Sequence, residues 1–171
     1  MKAFEIGGVV VPVSAALGLQ QQISVIGGAS VLRMMNGAGL KQTHWQRLAV
    51  SLSGSGWAPL GLQSLDYSAP LTLKCGLPRV VRSQSLSIAL PVGRRSDAGY
   101  EPFARAHLAD GREVATTVSI TTHTATVTAV AGAISYAVWY WPQLTVIASP
   151  PEETFDQASG DCSWSISAEE Q

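Results

Sequence analysis

The sequence predicts an all-β fold: a split barrel or sandwich of antiparallel strands, with a long hairpin and a small inserted β subdomain. Three observations predict it. Windows with apolar residues at i, i+3, i+4 and i+7 are few, and Gly or Pro interrupts them, so helix signals are weak throughout. Alternating, β-branched runs recur along the chain between clusters of Gly, Pro, Asn and Ser. The run "AISYAVWYWPQLTVIAS", residues 133–149, carries no charge and sets Trp139, Tyr140, Trp141 and Pro142 side by side, which suits a strand covered on both faces.

The elements follow in chain order. "FEIGGVVVPV" reads as two short strands around a Gly-Gly break. In "VLRMMNGAGLKQTHWQRLAVSLSG", Asn36-Gly37 lies between two strand-like runs, and this dipeptide favours the positive φ angles of a tight hairpin turn. On the return strand Leu40, Gln42, His44, Gln46, Leu48, Val50 and Leu52 are expected on one face. Polar groups on both faces of its first half suggest a long hairpin projecting from the core.

"SGSGWAPLGLQSLDYSAPLTLKCGLP" reads as a loop ending in a short strand at residues 70–75. "SQSLSIALPV" is a further strand closed by the polar turn "GRRSDAG". "FARAHLADGREVATTVSI" is a second hairpin with Asp110-Gly111 at its tip, and "HTATVTAV" alternates cleanly. The uncharged run is no membrane span, because Pro142 divides it into "AISYAVWYW" and "LTVIAS" where an unbroken helix of about 20 residues would be needed. "GDCSWSISAEEQ" closes the chain as a strand with Cys162, Trp164 and Ile166 on its buried face.

Composition narrows the function. The 171 residues suit one domain, or one domain carrying a small insertion. Only 13% are charged, against about 25% in an average soluble domain, while 46% are apolar and mean hydropathy is +0.18. Such a surface favours extensive contact with other proteins. Residues 1–150 hold all 11 basic residues and 6 acidic ones, a balance of +5; the last 21 hold 6 acids and no base. One end of the chain is thereby suited to attract the body of a neighbouring copy. The two cysteines, Cys75 and Cys162, read either as buried free thiols of a reducing compartment or as one late-forming bridge, the free thiols being favoured. "MKAFEIGGVVVPVSAALGL" reads as a mature N-terminus, since Glu5, Gly7-Gly8 and Pro12 break any signal-peptide pattern.

Catalytic chemistry is not expected. His107 and His123 fall on neighbouring expected strands near Glu101, Asp110 and Glu113, but without metal-site spacing. "SGSGWAPLG" and "VIGGAS" lack the helix and Lys-Ser/Thr of a phosphate cradle. Arg79, Arg82, Arg94 and Arg95 form only a mild basic cluster at a pI near 6.3, so nucleic acid is not expected. No cofactor or metal follows from these residues. Trp45 and Trp57 remain as exposed rings able to stack on a sugar, in a carbohydrate- or receptor-binding β module, since Trp139, Trp141 and Trp164 alternate like core residues.

Three segments carry a family resemblance: "FEIGGVVVPV", the block from "LRMMNGAGLKQTHWQRLAV" to "LTLKC", and "AISYAVWYWPQLTV" with "CSWSISAEE". In their order the chain resembles minor tail and baseplate proteins of tailed bacteriophages, and is similar to distal tail and hub proteins built on a split β-barrel. The resemblance implies residues 1–76 paired with 132–171 as the barrel, and 77–131 as the inserted subdomain. It implies a non-enzymatic ring, hexameric rather than trimeric, that links the tail tube to distal tail proteins. Such a ring assembles in the host cytoplasm and resides in the virion tail, without membrane insertion. The hairpin residues Arg33, Met34, Met35, Asn36, Gly37, Leu40 and Lys41 would form the subunit interface. At 171 residues the chain leaves little room for a carbohydrate-binding C-terminal domain.

Overall fold

Strands account for nearly all the regular structure in the computed structural model, which describes residues 3–171. Among them the single exception is a 3-10 turn at Val13–Ala15, and no helix is long and apolar enough to cross a membrane. The fold is all-β and is built largely from antiparallel strand pairs. The chain divides into two units, residues 3–73 with 145–171, and residues 74–144.

The first unit is built on one large sheet. Its strands are β1 (Glu5–Ile6), β2 (Val9–Val10), β3 (Gln20–Arg33), β4 (Gly39–Gly56), β5 (Leu71–Lys74), β13 (Gln143–Ala148), β14 (Glu152–Asp156) and β15 (Asp161–Glu170). The order runs β2-β1-β5-β13-β15-β4-β3, with β14 added beside β15. Among the described residues this is an open path from β2 to β3 rather than a closed barrel. The Gly7-Gly8 break is a turn in which both glycines take positive φ, as the sequence suggests. β15 is the axis of the sheet: β4 lies along one side, and β14 then β13 share the other.

Alternation along β15 buries Cys162, Trp164, Ile166 and Ala168, as expected from the sequence. The Trp164 ring packs 5.4 Å from that of Phe4 at a tilt of 37°, and its indole N–H donates to the Ala15 carbonyl at 2.6 Å. A buried indole needs such an acceptor. The sequence places a loop from Ser53 onward; instead "SGSG" completes β4, paired from Ser53↔Ser165 to Gly56↔Cys162. Small residues are required there, because a Cβ on Gly54 would stand 2.6 Å from the Trp164 ring.

The second unit is a sandwich. One layer is β10 (Val118–Thr121), β11 (Thr124–Val127) and β7 (Ser87–Ala89). The other orders β6 (Arg79–Ser83), β12 (Ala133–Tyr140), β8 (Phe103–Leu108) and β9 (Glu113–Thr116). Ile88, Leu90, Ala125 and Val127 from the first layer meet Ala104, Ala106, Tyr136, Val138 and Tyr140 from the second. β12 is a central strand, paired with β6 and β8. The sequence groups residues 132–144 with the N-terminal segment, whereas this pairing places β12 in the second unit. Ile134 is exposed because the β12–β8 register shifts at that point and turns it away from the core.

Candidate functional site

Strands β3 and β4 form the most unusual feature of the first unit. β4 pairs with β15 only over Ala49–Gly56, yet its pairing with β3 continues to Arg33↔Gly39. Beyond Leu48 the two strands therefore run as a two-stranded arm, roughly 30 Å long at the usual rise per residue. Every residue from 29 to 47 is exposed. A two-stranded ribbon with water on both faces is marginally stable at best.

The base of the arm is pinned where β15 ends. The Leu48 N–H donates to the Glu170 carboxylate at 2.9 Å, and the Arg47 guanidinium donates to the Gln171 carbonyl at 2.8 Å. Just outward lies a β-bulge: Gly28 faces Trp45 but Ala29 faces Thr43, leaving His44 as the extra residue. A Cβ on Gly27 would lie 2.2 Å from the Trp45 carbonyl oxygen, so the backbones approach as only glycine permits. "VIGGAS" is thus a bulge site, a role absent from the sequence reading, although a Gly pair inside a strand is a recognised signal for one.

The bulge corrects the expected alternation. Leu40 and Gln42 share a face with Leu32, Ser30 and Trp45, not with Gln46, Leu48, Val50 and Leu52. The second face carries Val25, Leu48, Val31, Lys41 and Arg33. Both faces therefore hold apolar side chains in water, among them Val25, Val31, Leu32 and Leu40.

The tip lies where the sequence places it but turns differently. Gly37 donates its N–H to the Met34 carbonyl and Met34 donates to that of Ala38, making a five-residue loop rather than a two-residue turn. Gly37 alone has positive φ (82°); Asn36 instead accepts the Ala38 N–H on its side-chain oxygen at 3.0 Å. Met34 is half exposed and Met35 fully so, and Arg33 reaches back to the Gly37 carbonyl at 3.3 Å. The expected interface residues Arg33, Met34, Met35, Asn36, Gly37, Leu40 and Lys41 thus gather at one exposed end of the arm.

Charge is segregated within the first unit. Apart from Lys74 at the end of β5, its described basic residues, Arg33, Lys41 and Arg47, lie on the arm, and all acidic ones lie off it. Several acids line β14, a strand that the sequence analysis does not identify. Its residues are exposed, its outer edge pairs with no other strand among the described residues, and a turn at Asp156–Gly160 returns it to β15. The Asp156 carboxyl accepts N–H and O–H donors from Ala158 and Ser159, which hold its pKa below the usual carboxylate range.

β14 separates two clefts. On one face Glu153 and Phe155 border a cleft of about 380 Å³ with Pro59, Leu60 and Gln63, floored by Trp164 and Cys162. On the other, Trp57, Leu17, Asp156 and Asp161 border a more polar cleft of about 320 Å³. Trp57 and Phe155 are 68% and 64% exposed, unusual values for such large rings. Trp45 is half exposed, but its indole lies across Gly28.

The other sequence candidates lie apart from these surfaces. His107 sits on β8 beside Glu113 at 3.3 Å, whereas His123 occupies the β10–β11 turn against Arg94 at 3.0 Å. They belong to different sheets, so the expected neighbouring strands do not exist, and no cluster of potential metal ligands occurs among the described residues. Arg79 and Arg82 are on β6, a strand the sequence reading missed. Arg95 is buried and bonded to Asp97 and to the Cys75 carbonyl. No known protein family, characterised protein or solved structure matches the chain.

Proposed function

We propose that this chain is a structural, non-catalytic subunit that assembles through its β3–β4 arm, as a ring-forming component of a bacteriophage tail tip or baseplate. One observation carries the assembly reading: residues 29–47 form a ribbon exposed throughout, with apolar side chains on both faces. Such a ribbon gains its stability by packing against a partner. The phage setting rests on the resemblance of the three sequence segments. In that setting the ring, hexameric rather than trimeric, would link the tail tube to distal tail proteins in the virion.

Native mass of the full chain tests this, beside a variant whose residues 29–44 are replaced by a two-residue Asn-Gly turn between the paired Gly28 and Trp45. A discrete oligomer that the shortened variant cannot form is expected. Two equally monomeric proteins would overturn the assembly reading.

A second reading, a carbohydrate- or receptor-binding module, draws support from Trp57, whose ring stands exposed beside the carboxylates of Asp156 and Asp161. Sugar binding combines a flat ring with polar groups able to bond hydroxyls. Trp57→Ala separates the readings: it would abolish glycan binding in the second and leave native mass unchanged in the first.

A further inference from the structure

We infer that the arm tip of one copy seats in the β14 cleft of a second copy, with Met34 and Met35 against the apolar side chains of Leu60, Phe155 and Trp164, and with Arg33 and Lys41 facing Glu153. This contact deepens the assembly reading above and rests on it.

Three observations lead here. The first is complementarity of charge. Within the first unit the cations, Lys74 at the end of β5 excepted, are on the arm, and Glu153 sits at the rim of the cleft. Opposite potentials of this kind steer association and fix register. The second is chemistry of shape. The tip presents two unbranched thioether side chains, which adapt to irregular apolar surfaces. This cleft offers Pro59, Leu60, Phe155 and Trp164, whereas the two clefts nearest it along β15 carry more Ser and acidic side chains.

The third is direction. The cleft adjoins Cys162, Ser163 and Trp164 at the start of β15, and the arm departs beyond Glu170 at its end. These points are about 25 Å apart along the strand, and the arm runs onward from the far one. A copy's arm therefore points away from its own cleft. The contact must join different copies through two different surfaces, a head-to-tail interface that yields a closed ring when the rotation permits and an open filament when it does not.

The test uses full-length protein. Met35→Cys and Gln63→Cys are made separately, each with Cys162→Ala because Cys162 lines the cleft, and mixed under mild oxidation; the native Cys75 is buried and stays out of the reaction. A reducible product containing one of each variant, formed faster than from either alone, supports the contact. In parallel, native mass is followed for Glu153→Lys, for Arg33→Glu with Lys41→Glu, and for the three changes together. Each reversal should weaken assembly by about tenfold or more, and the combination should recover much of the loss.

If wild-type protein assembles and the shortened arm prevents it, yet the mixed product is absent and Glu153→Lys has no effect, this contact is overturned while arm-mediated assembly stands. The same holds if the cleft takes a glycan and its variants change glycan binding alone. Wild-type protein that remains monomeric at every concentration, with no mixed product, sinks both.

Discussion

Arg95 is the one charged side chain buried among the described residues, and the structure surrounds it with partners. Its guanidinium donates to both Asp97 oxygens and to the Cys75 carbonyl, and the Tyr100 ring lies 3.2 Å away. The bond from Arg95 holds the Asp97 carboxyl below the usual carboxylate range. Because its folded pKa is the lower one, this contribution is complete above the unfolded value of about 3.9, and it disappears as pH falls through the folded value. Asp97→Asn should destabilise by about 1–2 kcal/mol, the partial exposure of Asp97 moderating the loss. Urea titrations at neutral pH would show that difference, and it should narrow progressively as pH falls below the unfolded value of about 3.9. Burial pushes the neighbouring Cys75 thiol up to about 12, against the pull of Arg95 and Arg79. Thiol reagents at neutral pH should therefore label Cys75 only as the protein unfolds, which a timed mass measurement would follow. Gly54→Ala places a methyl group against the buried Trp164 ring; overpacking of this kind costs about 1–3 kcal/mol, seen as a lower Tm.

At the scale of the element, the arm contributes little to the core that remains when it is cut back. Replacing residues 29–44 by a short turn should leave the urea midpoint nearly unchanged, within the roughly 0.5 kcal/mol typical of surface changes. A large loss of stability would mean that the arm packs on its own subunit after all. Local signals made the arm's position legible: Asn36-Gly37 marks its turn, and the mixed polarity of both faces marks its exposure. The bulge was hidden because nothing about His44 distinguishes it, although Gly27-Gly28 opposite supplied a cue. β14 was missed because "EETFD" lacks an apolar face; what makes it a strand is the Asp156–Gly160 turn and the edge of β15. β6 was missed for a similar reason, since its arginines suggested a surface cluster while Val81 faces the core. The cleft joins residues near 60 to residues near 155 and 163, a distant juxtaposition that no local pattern announces.

For the whole molecule, the low charge content and the arrangement of that charge govern how copies meet. Assembly driven partly by cations on one surface and carboxylates on another should weaken with salt, since the screening length shrinks from about 10 Å at 0.1 M to about 3 Å at 1 M. Native mass in low and high salt would show it, and a salt-resistant oligomer would place the driving force in the apolar tip instead. The all-β class was legible because alternation is short-range, and most strands follow it. The grouping of those strands was not, since β12 could have paired with either set of strands and only its partners decide which.

The exposed arm also affects the fate of a copy that finds no neighbour. Arg33 and Lys41 are trypsin sites on a two-stranded ribbon that opens easily, so lone copies should be nicked there while the rest of the chain resists. Incorporation would cover both sites. The arm would then act as a timer on surplus subunits, letting proteolysis remove those left over once assembly is complete.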